Sequence, residues 1–91
     1  MTLVLCEVHP GLSNWDASVA VRDVGDVQTF LHVDRAFLSR KQDRAYLPVG
    51  VVRRDPVRGV ALIELPEEAS SGAHRLWVPL TSLIELDGTP A

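Results

Sequence analysis

The stretch from Tyr46 to Leu86 constrains the fold of this 91-residue chain more than any other part of it. It contains three apolar runs, which are separated by two turn-like segments, Arg53–Gly59 and Pro66–Ala73. Short apolar runs at this spacing, interrupted by proline and glycine, are typical of strands in a small β-sheet. The stretch contains no recognisable set of catalytic groups. We therefore expect it to describe a protein core and not a reaction.

The second half of the chain predicts strands that alternate with turns. Pro48 indicates a sheet edge or a bulge, because proline cannot donate a hydrogen bond to a neighbouring strand, and Gly50 indicates a bend or a close backbone approach. In the turn Asp55–Gly59, the proline presets one φ and the glycine supplies a positive one. A short turn is expected at Leu80–Leu83. The expected strands are Ala45–Arg53, Val60–Leu65 as the most central one, His74–Pro79 and Ile84–Leu86.

The first half predicts a strand, a hairpin and one helical turn. The strand covers Thr2–Val8, and the hairpin joins Ala17–Val24 to Val27–Val33. Asp34 is a candidate N-cap for a single helical turn that lays Phe37 on the core. The polar segment Ser39–Arg44 is expected to form an exposed turn.

These elements predict an all-β fold, either a small barrel or a sandwich, with one short helical turn. A chain of 91 residues is long enough for one domain. We expect that domain to cover residues 1–86, followed by a disordered tail over residues 87–91.

The second half contains four elements in order: Val49-Gly50-Val51-Val52, Asp55-Pro56 with Gly59, Val60–Leu65, and Leu76-Trp77-Val78-Pro79 before Leu83-Ile84. Through these residues the segment from Gly50 to Glu85 resembles the PRC-barrel family, whose domain is a small closed β-barrel of the SH3-like type. The resemblance implies a small five- to six-stranded SH3-like barrel. The resemblance implies an adaptor or scaffold module that binds proteins, in one branch beside RNA-processing or ribosome-assembly machinery. A peptide groove of the SH3 kind is not expected, because such grooves are built from clustered aromatic residues and aromatic content here is 5%.

Charge is distributed unevenly along the chain, whose net charge is −3. Basic residues concentrate in the middle, against only two acids there; they are Arg35, Arg40, Lys41, Arg44, Arg53, Arg54 and Arg58. Two interpretations stay open: solvated loop charges, or a patch for an acidic partner or a nucleic-acid backbone.

No apolar segment approaches the roughly 20 residues that span a bilayer, so we expect a cytoplasmic protein without a membrane partner.

Neither a metal site nor a catalytic centre is predicted, and no cofactor is expected. Cys6 and His9 have metal-like spacing, but they project to opposite faces of a strand, and His32 and His74 are isolated in sequence. A buried, apolar Cys6 is the more ordinary outcome, since no helix N-terminus would lower its pKa. A metal- or thiol-dependent enzyme is therefore only a third hypothesis.

The two tryptophans are the most informative candidates for contacts. Trp15 lies in a polar stretch, where it either plugs a barrel end or stands exposed. Trp77 faces outward if its neighbours face inward, and the opposite arrangement stays open. The first hypothesis is a non-enzymatic protein-interaction module that self-associates, as a homodimer for example; nucleic-acid binding is the second. The candidate binding residues are Arg53, Arg54, Arg58, Arg75, Trp77 and Trp15.

Overall fold

The computed structural model describes residues 1–91 and contains eight strands and two 3₁₀ turns, so the chain is predominantly β, as predicted. The 3₁₀ turns cover Arg35–Phe37 and Leu80–Ser82. The strands are β1 (Thr2–Pro10), β2 (Asp16–Arg22), β3 (Gln28–Asp34), β4 (Ser39–Lys41), β5 (Arg44–Asp55), β6 (Val60–Glu64), β7 (Arg75–Pro79) and β8 (Leu83–Glu85).

One antiparallel sheet in the order β3-β2-β1-β5-β6-β7 curls into a half-barrel. The short strand β4 pairs with β5, and β8 pairs with β1. The predicted hairpin of the first half is confirmed as β2 and β3. The expectation that Val60–Leu65 is the most central strand is wrong: β6 is next to the last strand of the sheet, whereas β1 and β5 lie at its centre.

The core fills the concave face of the half-barrel with 16 buried residues in one cluster. On β2, Ala17, Val19 and Val21 are fully buried, as their alternation predicts. On β6, Ala61 and Ile63 are fully buried in the same cluster. Full burial of a valine or isoleucine side chain contributes about 1.5–3 kcal/mol, so the inward positions of these strands stabilise the curl of the sheet.

Two backbone hydrogen bonds bridge the open side of the half-barrel. The Ser70 N–H donates to the Phe30 carbonyl at 2.8 Å, and the Val24 N–H donates to the Trp77 carbonyl at 2.9 Å. The loop Pro66–Ala73, which the sequence predicts to be flexible, is anchored because Ala69 is buried in the core. The exposed edges of β3 and β7 are thus partly covered, which limits uncontrolled pairing with other chains.

The exposed turn predicted at Ser39–Arg44 is the tip of a β-hairpin, whose flanking residues Ser39–Lys41 and Arg44 are strand and not turn. Gln42 and Asp43 form its two-residue loop, with φ of 54° and 64°. Positive φ at both positions is the type I′ geometry that suits the twist of a hairpin. The usual Asn-Gly signal is absent, which is why the sequence pattern does not reveal this hairpin.

Pro48 lies at a local gap in the pairing of β5. On the edge away from β1, β5 pairs with β4 as far as Tyr46 and with β6 only from Gly50 onward. In an antiparallel ladder, every second residue directs its backbone groups to the same neighbouring strand, and this alternation points the Pro48 nitrogen into the gap. Because proline has no N–H, no backbone donor is left unpaired there. The bulge lies farther along, between Val51 and Arg53. Close approach at Gly50 is not seen, since an added Cβ would meet the Glu64 Cβ at an ordinary 3.7 Å.

The 3₁₀ turn after β3 has the predicted cap but not the predicted packing. The Ala36 N–H donates to Asp34 Oδ1 at 2.9 Å, which confirms the N-cap. Phe37, expected on the core, is 49% exposed, and Leu38 packs against the core instead. A three-residue turn presents few side chains inward, and here Leu38, the residue after the turn, takes that position.

The carboxylate of Asp16 organises the connection between β1 and β2. It accepts hydrogen bonds from the Ser13 N–H at 2.7 Å and the Leu12 N–H at 3.3 Å. These bonds, that of Ser13 above all, lower the pKa of Asp16. A Cβ at Gly11 would lie 2.5 Å from Asp16 Oδ1, so the turn requires glycine there.

The segment over residues 87–91, predicted as a disordered tail, folds back onto β8. The Glu85 N–H donates to the Thr89 carbonyl at 2.8 Å, and Pro90 forms a bridge with Ile84. Ala91 packs against the core cluster.

Candidate interaction surface

A row of three side chains crosses the convex face of the half-barrel. In the register of β5, β6 and β7, Leu62 is opposite Arg53 on one side and opposite Trp77 on the other. Directly opposite residues in an antiparallel sheet share a face. Because Ala61 and Ile63 point into the core, Leu62 points outward, and so do its two partners. We call Arg53, Leu62 and Trp77 the outer patch.

Trp77 is the largest side chain of the outer patch. It is 39% exposed, whereas Leu76 and Val78 on either side of it are buried, so its outward orientation agrees with the first of the two interpretations of the sequence. The hydrogen bond from Val24 to the Trp77 carbonyl holds the backbone at this position. The tryptophan is therefore presented on a fixed backbone, which keeps the entropic cost of binding low.

Charges of both signs surround the patch. Arg53 forms no ion pair in the protein. On one side Arg75 Nε lies 3.8 Å from Glu64 Oε1. On the other side Arg58 Nε lies 3.7 Å from Asp55 Oδ2, and Asp55 Oδ1 accepts the Arg58 N–H at 3.1 Å. The free guanidinium of Arg53 is thus flanked by carboxylates that are only partly neutralised, since exposed ion pairs are weak.

A surface pocket of about 330 Å³ adjoins the patch. Trp77, Val24 and Val60 supply its apolar lining, and Asp55 and Arg58 supply its polar lining. A pocket with an aromatic wall and one ion pair suits an apolar side chain of a partner that carries a single polar group.

Two of the sequence-predicted binding residues lie elsewhere. Arg54 is opposite the buried Ala61 and thus on the concave side, where its guanidinium lies 3.8 Å from Glu85 Oε1 at the barrel end. Trp15 is 68% exposed at the start of β2. Val24, which contacts Trp77, follows the other end of β2, so Trp15 and Trp77 are separated by about 20 Å, the length of that strand. The structure therefore brings together Arg53, Arg58, Arg75 and Trp77, and not Arg54 or Trp15.

The basic middle of the chain does not form one patch. Arg40, Lys41 and Arg44 cluster on the β4–β5 hairpin, whereas Arg53 lies near the far end of β5. Nine residues of strand separate Arg44 from Arg53, which corresponds to about 30 Å. The two groups of cations act on separate parts of the surface.

The thiol that the third hypothesis invokes is buried. Cys6 is 7% exposed and belongs to the core cluster. Burial raises the pKa of Cys6 to about 11, although the nearby charge of Arg40 acts in the opposite direction. A thiol with this pKa is almost wholly protonated near neutral pH and is a poor nucleophile. No group of three or more His, Cys, Asp or Glu side chains is arranged to hold a metal ion.

Sequence reasoning missed Leu62 of the outer patch and three residues of the adjoining pocket, Val24, Asp55 and Val60. The alternation on β6 that places Glu64 outward also places Leu62 outward, so that residue could have been found. Val24 could not, because its contact with Trp77 depends on the curl of the sheet and no local pattern encodes it.

No helix in the structure has the length and apolar character needed to cross a membrane.

Comparison of the chain with protein-family models, with curated proteins and with solved structures gives no match. The resemblance to the PRC-barrel family accordingly stays a prediction made from the sequence.

Proposed function

We propose that this protein is a non-enzymatic interaction module, a small barrel of the SH3-like, PRC type, that binds a protein through the outer patch. The observation that carries the proposal is the row Arg53–Leu62–Trp77 on the convex face of the sheet. Tryptophan and arginine are the residue types most enriched among the energetically dominant contacts of interfaces. Both are presented here by strands and not by loops, which favours a preformed binding surface.

The partner that suits the patch best is a second copy of the chain. A twofold interface is formed by the same surface on both subunits, so it must be complementary to itself. The patch meets this condition because it combines an apolar centre with the unpaired cation of Arg53 and the carboxylates of Asp55 and Glu64. The Arg53 side chain of one copy can pair with a carboxylate of the other while the two Trp77 rings pack between them.

Sedimentation velocity over a range of protein concentrations tests this proposal. We expect the wild-type protein to show a concentration-dependent dimer that Trp77→Ala weakens by at least about 30-fold, since truncation of such a residue costs about 2 kcal/mol or more. Trp15→Ala is the matched control, because Trp15 is also an exposed tryptophan but lies outside the patch.

Equal weakening by Trp15→Ala and Trp77→Ala would contradict the assignment of the patch. A protein that stays monomeric at every concentration would exclude the second copy as partner. If the wild type then binds another protein and Trp77→Ala does not, the patch is the binding site for that other protein.

Nucleic-acid binding is the second candidate, and the β4–β5 hairpin favours it. Arg40, Lys41 and Arg44 form no ion pairs within the chain. Three cations are a small electrostatic footprint, however, and Arg53 and Arg54 lie too far away to extend it. Binding of a single-stranded oligonucleotide that weakens steeply with salt, and that is lost in Arg44→Gln but kept in Arg53→Gln, would support this candidate.

A further inference from the structure

The loop Pro66–Ala73, which we call the strap, is held to the barrel at two points away from its ends. Ala69 is its only buried residue, and the methyl group of Ala69 lies in the core. The Ser70 N–H donates to the Phe30 carbonyl of β3 at 2.8 Å. No ion pair joins the strap to a strand. One methyl group and one hydrogen bond form a weak attachment.

The strap can open without disturbing the strands on either side of it. Its base is closed because the Leu65 N–H donates to the His74 carbonyl at 2.8 Å, which continues the pairing of β6 with β7. Within the strap, the Ala69 N–H donates to the Ala73 carbonyl at 2.9 Å. Neither bond involves β3, so both can persist while Ala69 and Ser70 leave the barrel. Segments attached in this way open by local unfolding.

Opening of the strap exposes backbone groups on the outer edge of β3. The Phe30 carbonyl points away from β2, because it accepts from the strap, whereas the Val27 carbonyl points toward β2 and accepts from the Asp23 N–H. Backbone direction alternates along a strand, so the groups of Gln28 and His32 point to the outer edge with those of Phe30. β3 is the last strand of the sheet, and no bond outside the sheet reaches Gln28 or His32. Such an unpaired edge is a template for another strand.

β3 is complementary to itself in the antiparallel direction. Pairing centred on Leu31, its middle residue, uses the whole strand and keeps Leu31 of each copy in its own core. This register places the exposed Phe30 of each copy opposite the exposed His32 of the other, which forms two aromatic pairs on the outer face. It also places Gln28 of each copy opposite Asp34 of the other, so that an amide faces a carboxylate. Pairing centred on His32 would instead place the two imidazoles opposite each other.

We propose that the strap is an autoinhibitory contact: while closed it blocks the edge of β3, and when it opens two copies of the chain pair through β3. A twofold interface requires a surface that is complementary to itself, and the register centred on Leu31 meets this condition. The pairing does not use the outer patch, so Trp77→Ala should leave it unchanged. Either proposal can therefore fail without the other.

Hydrogen exchange followed by NMR tests the opening of the strap. After correction for intrinsic rates, we expect the Ser70 amide to exchange at least about tenfold faster than the Leu31 amide, which is released only when the sheet unfolds. Exchange of Ser70 no faster than that of Leu31 would mean that the strap opens only together with the barrel, and would overturn the proposal.

Sedimentation velocity tests the pairing in a Trp77→Ala background, which weakens any association through the outer patch. Ala69→Lys brings a charge to a buried position, so the strap should be expelled from the core. Ser71→Lys is the matched control, because Ser71 is an exposed residue of the same loop. We expect a concentration-dependent dimer with Ala69→Lys and a monomer with Ser71→Lys. A monomer in both would overturn pairing with a second copy.

A proline on the edge of β3 distinguishes strand pairing from non-specific association. His32→Pro removes an N–H that points to the outer edge, so the pairing of β3 with β2 is kept. We expect it to abolish the dimer formed by Ala69→Lys, and persistence of that dimer would overturn the proposal.

A milder variant covers the case in which Ala69→Lys does not fold. Ala69→Gly should speed the exchange of the Ser70 amide by about fourfold, the effect of one buried methyl group, and should strengthen the dimer. An unchanged exchange rate or an unchanged dimer would again overturn the proposal.

Discussion

Neighbouring residues on β6 offer the sharpest test of how the sheet is oriented. Ile63 is fully buried in the core of the half-barrel, whereas Leu62 is half-buried on the convex face. The two side chains have the same number of carbon atoms and lie one residue apart. Truncation of each to alanine therefore removes equal volume from opposite faces of one strand.

The expected cost of Ile63→Ala follows from its burial. The substitution removes three carbon atoms, and at about 0.8 kcal/mol for each buried methylene this loses about 2.4 kcal/mol of transfer free energy. A cavity term is added because Ile63 lies between Val51 of β5 and Leu76 of β7, whose strands are held by the sheet. The total is about 3–4 kcal/mol, within the usual range for such substitutions. Leu62→Ala should cost no more than about 1 kcal/mol, since much of that side chain is already in water.

Thermal unfolding followed by circular dichroism measures this difference. For a domain of this size, 1 kcal/mol corresponds to about 4–8 °C in Tm, so Ile63→Ala should unfold at least about 12 °C below the wild type. Urea titration gives the free energy of unfolding directly and checks that the slope is unchanged. Leu62→Ala destabilising the protein as much as Ile63→Ala would refute the orientation of β6 and, with it, the outer patch.

Three further predictions concern single residues. Gly59→Ala should destabilise the protein by about 1–2 kcal/mol in urea titration, because Gly59 has a φ of 71°. An added Cβ would meet nothing within 4 Å, so the cost comes from the backbone conformation alone, and Gly59→Asn should cost less. Cys6 should react with a thiol reagent at about pH 8 on the order of 100-fold more slowly in the folded than in the unfolded protein, since its pKa is about 11 when folded; equal rates would contradict its burial. The pKa of Asp16 is lowered by folding, so its ionised form contributes stability above its unfolded pKa, and that contribution is lost as the pH falls through the folded pKa. Asp16→Asn should therefore be less stable than the wild type at neutral pH, and urea titrations at successively lower pH should show the difference shrinking as Asp16 becomes protonated.

The strands and most turns could be predicted from the sequence because local chemistry specifies them. The alternation of Ala17, Val19 and Val21 defines the inward face of β2, and the glycine of Asp55–Gly59 supplies the positive φ that the turn needs. The same two-residue period puts Trp77 on the face opposite Leu76 and Val78, but only the structure shows which of the two faces is the core. Information of this kind lies within a few residues of the chain.

Pairing between distant segments could not be predicted in the same way. The hairpin at Gln42 and Asp43 carries no glycine, so its positive φ values are imposed by pairing of the flanking strands and not by the residues themselves. The central position of β1 depends on its contacts with β2, β5 and β8 together. Consequently the split of the basic residues into two groups becomes apparent only once the length of β5 is known.

Quenching of Trp77 fluorescence by acrylamide tests the proposed function most directly. In a Trp15→Phe variant, Trp77 is the only tryptophan, and it reports on the outer patch alone. If copies of the chain associate through this patch, the quenching constant should fall as protein concentration rises, along the same curve as the dimer fraction from sedimentation. A dimer that forms while Trp77 remains as accessible as in the monomer would contradict the account.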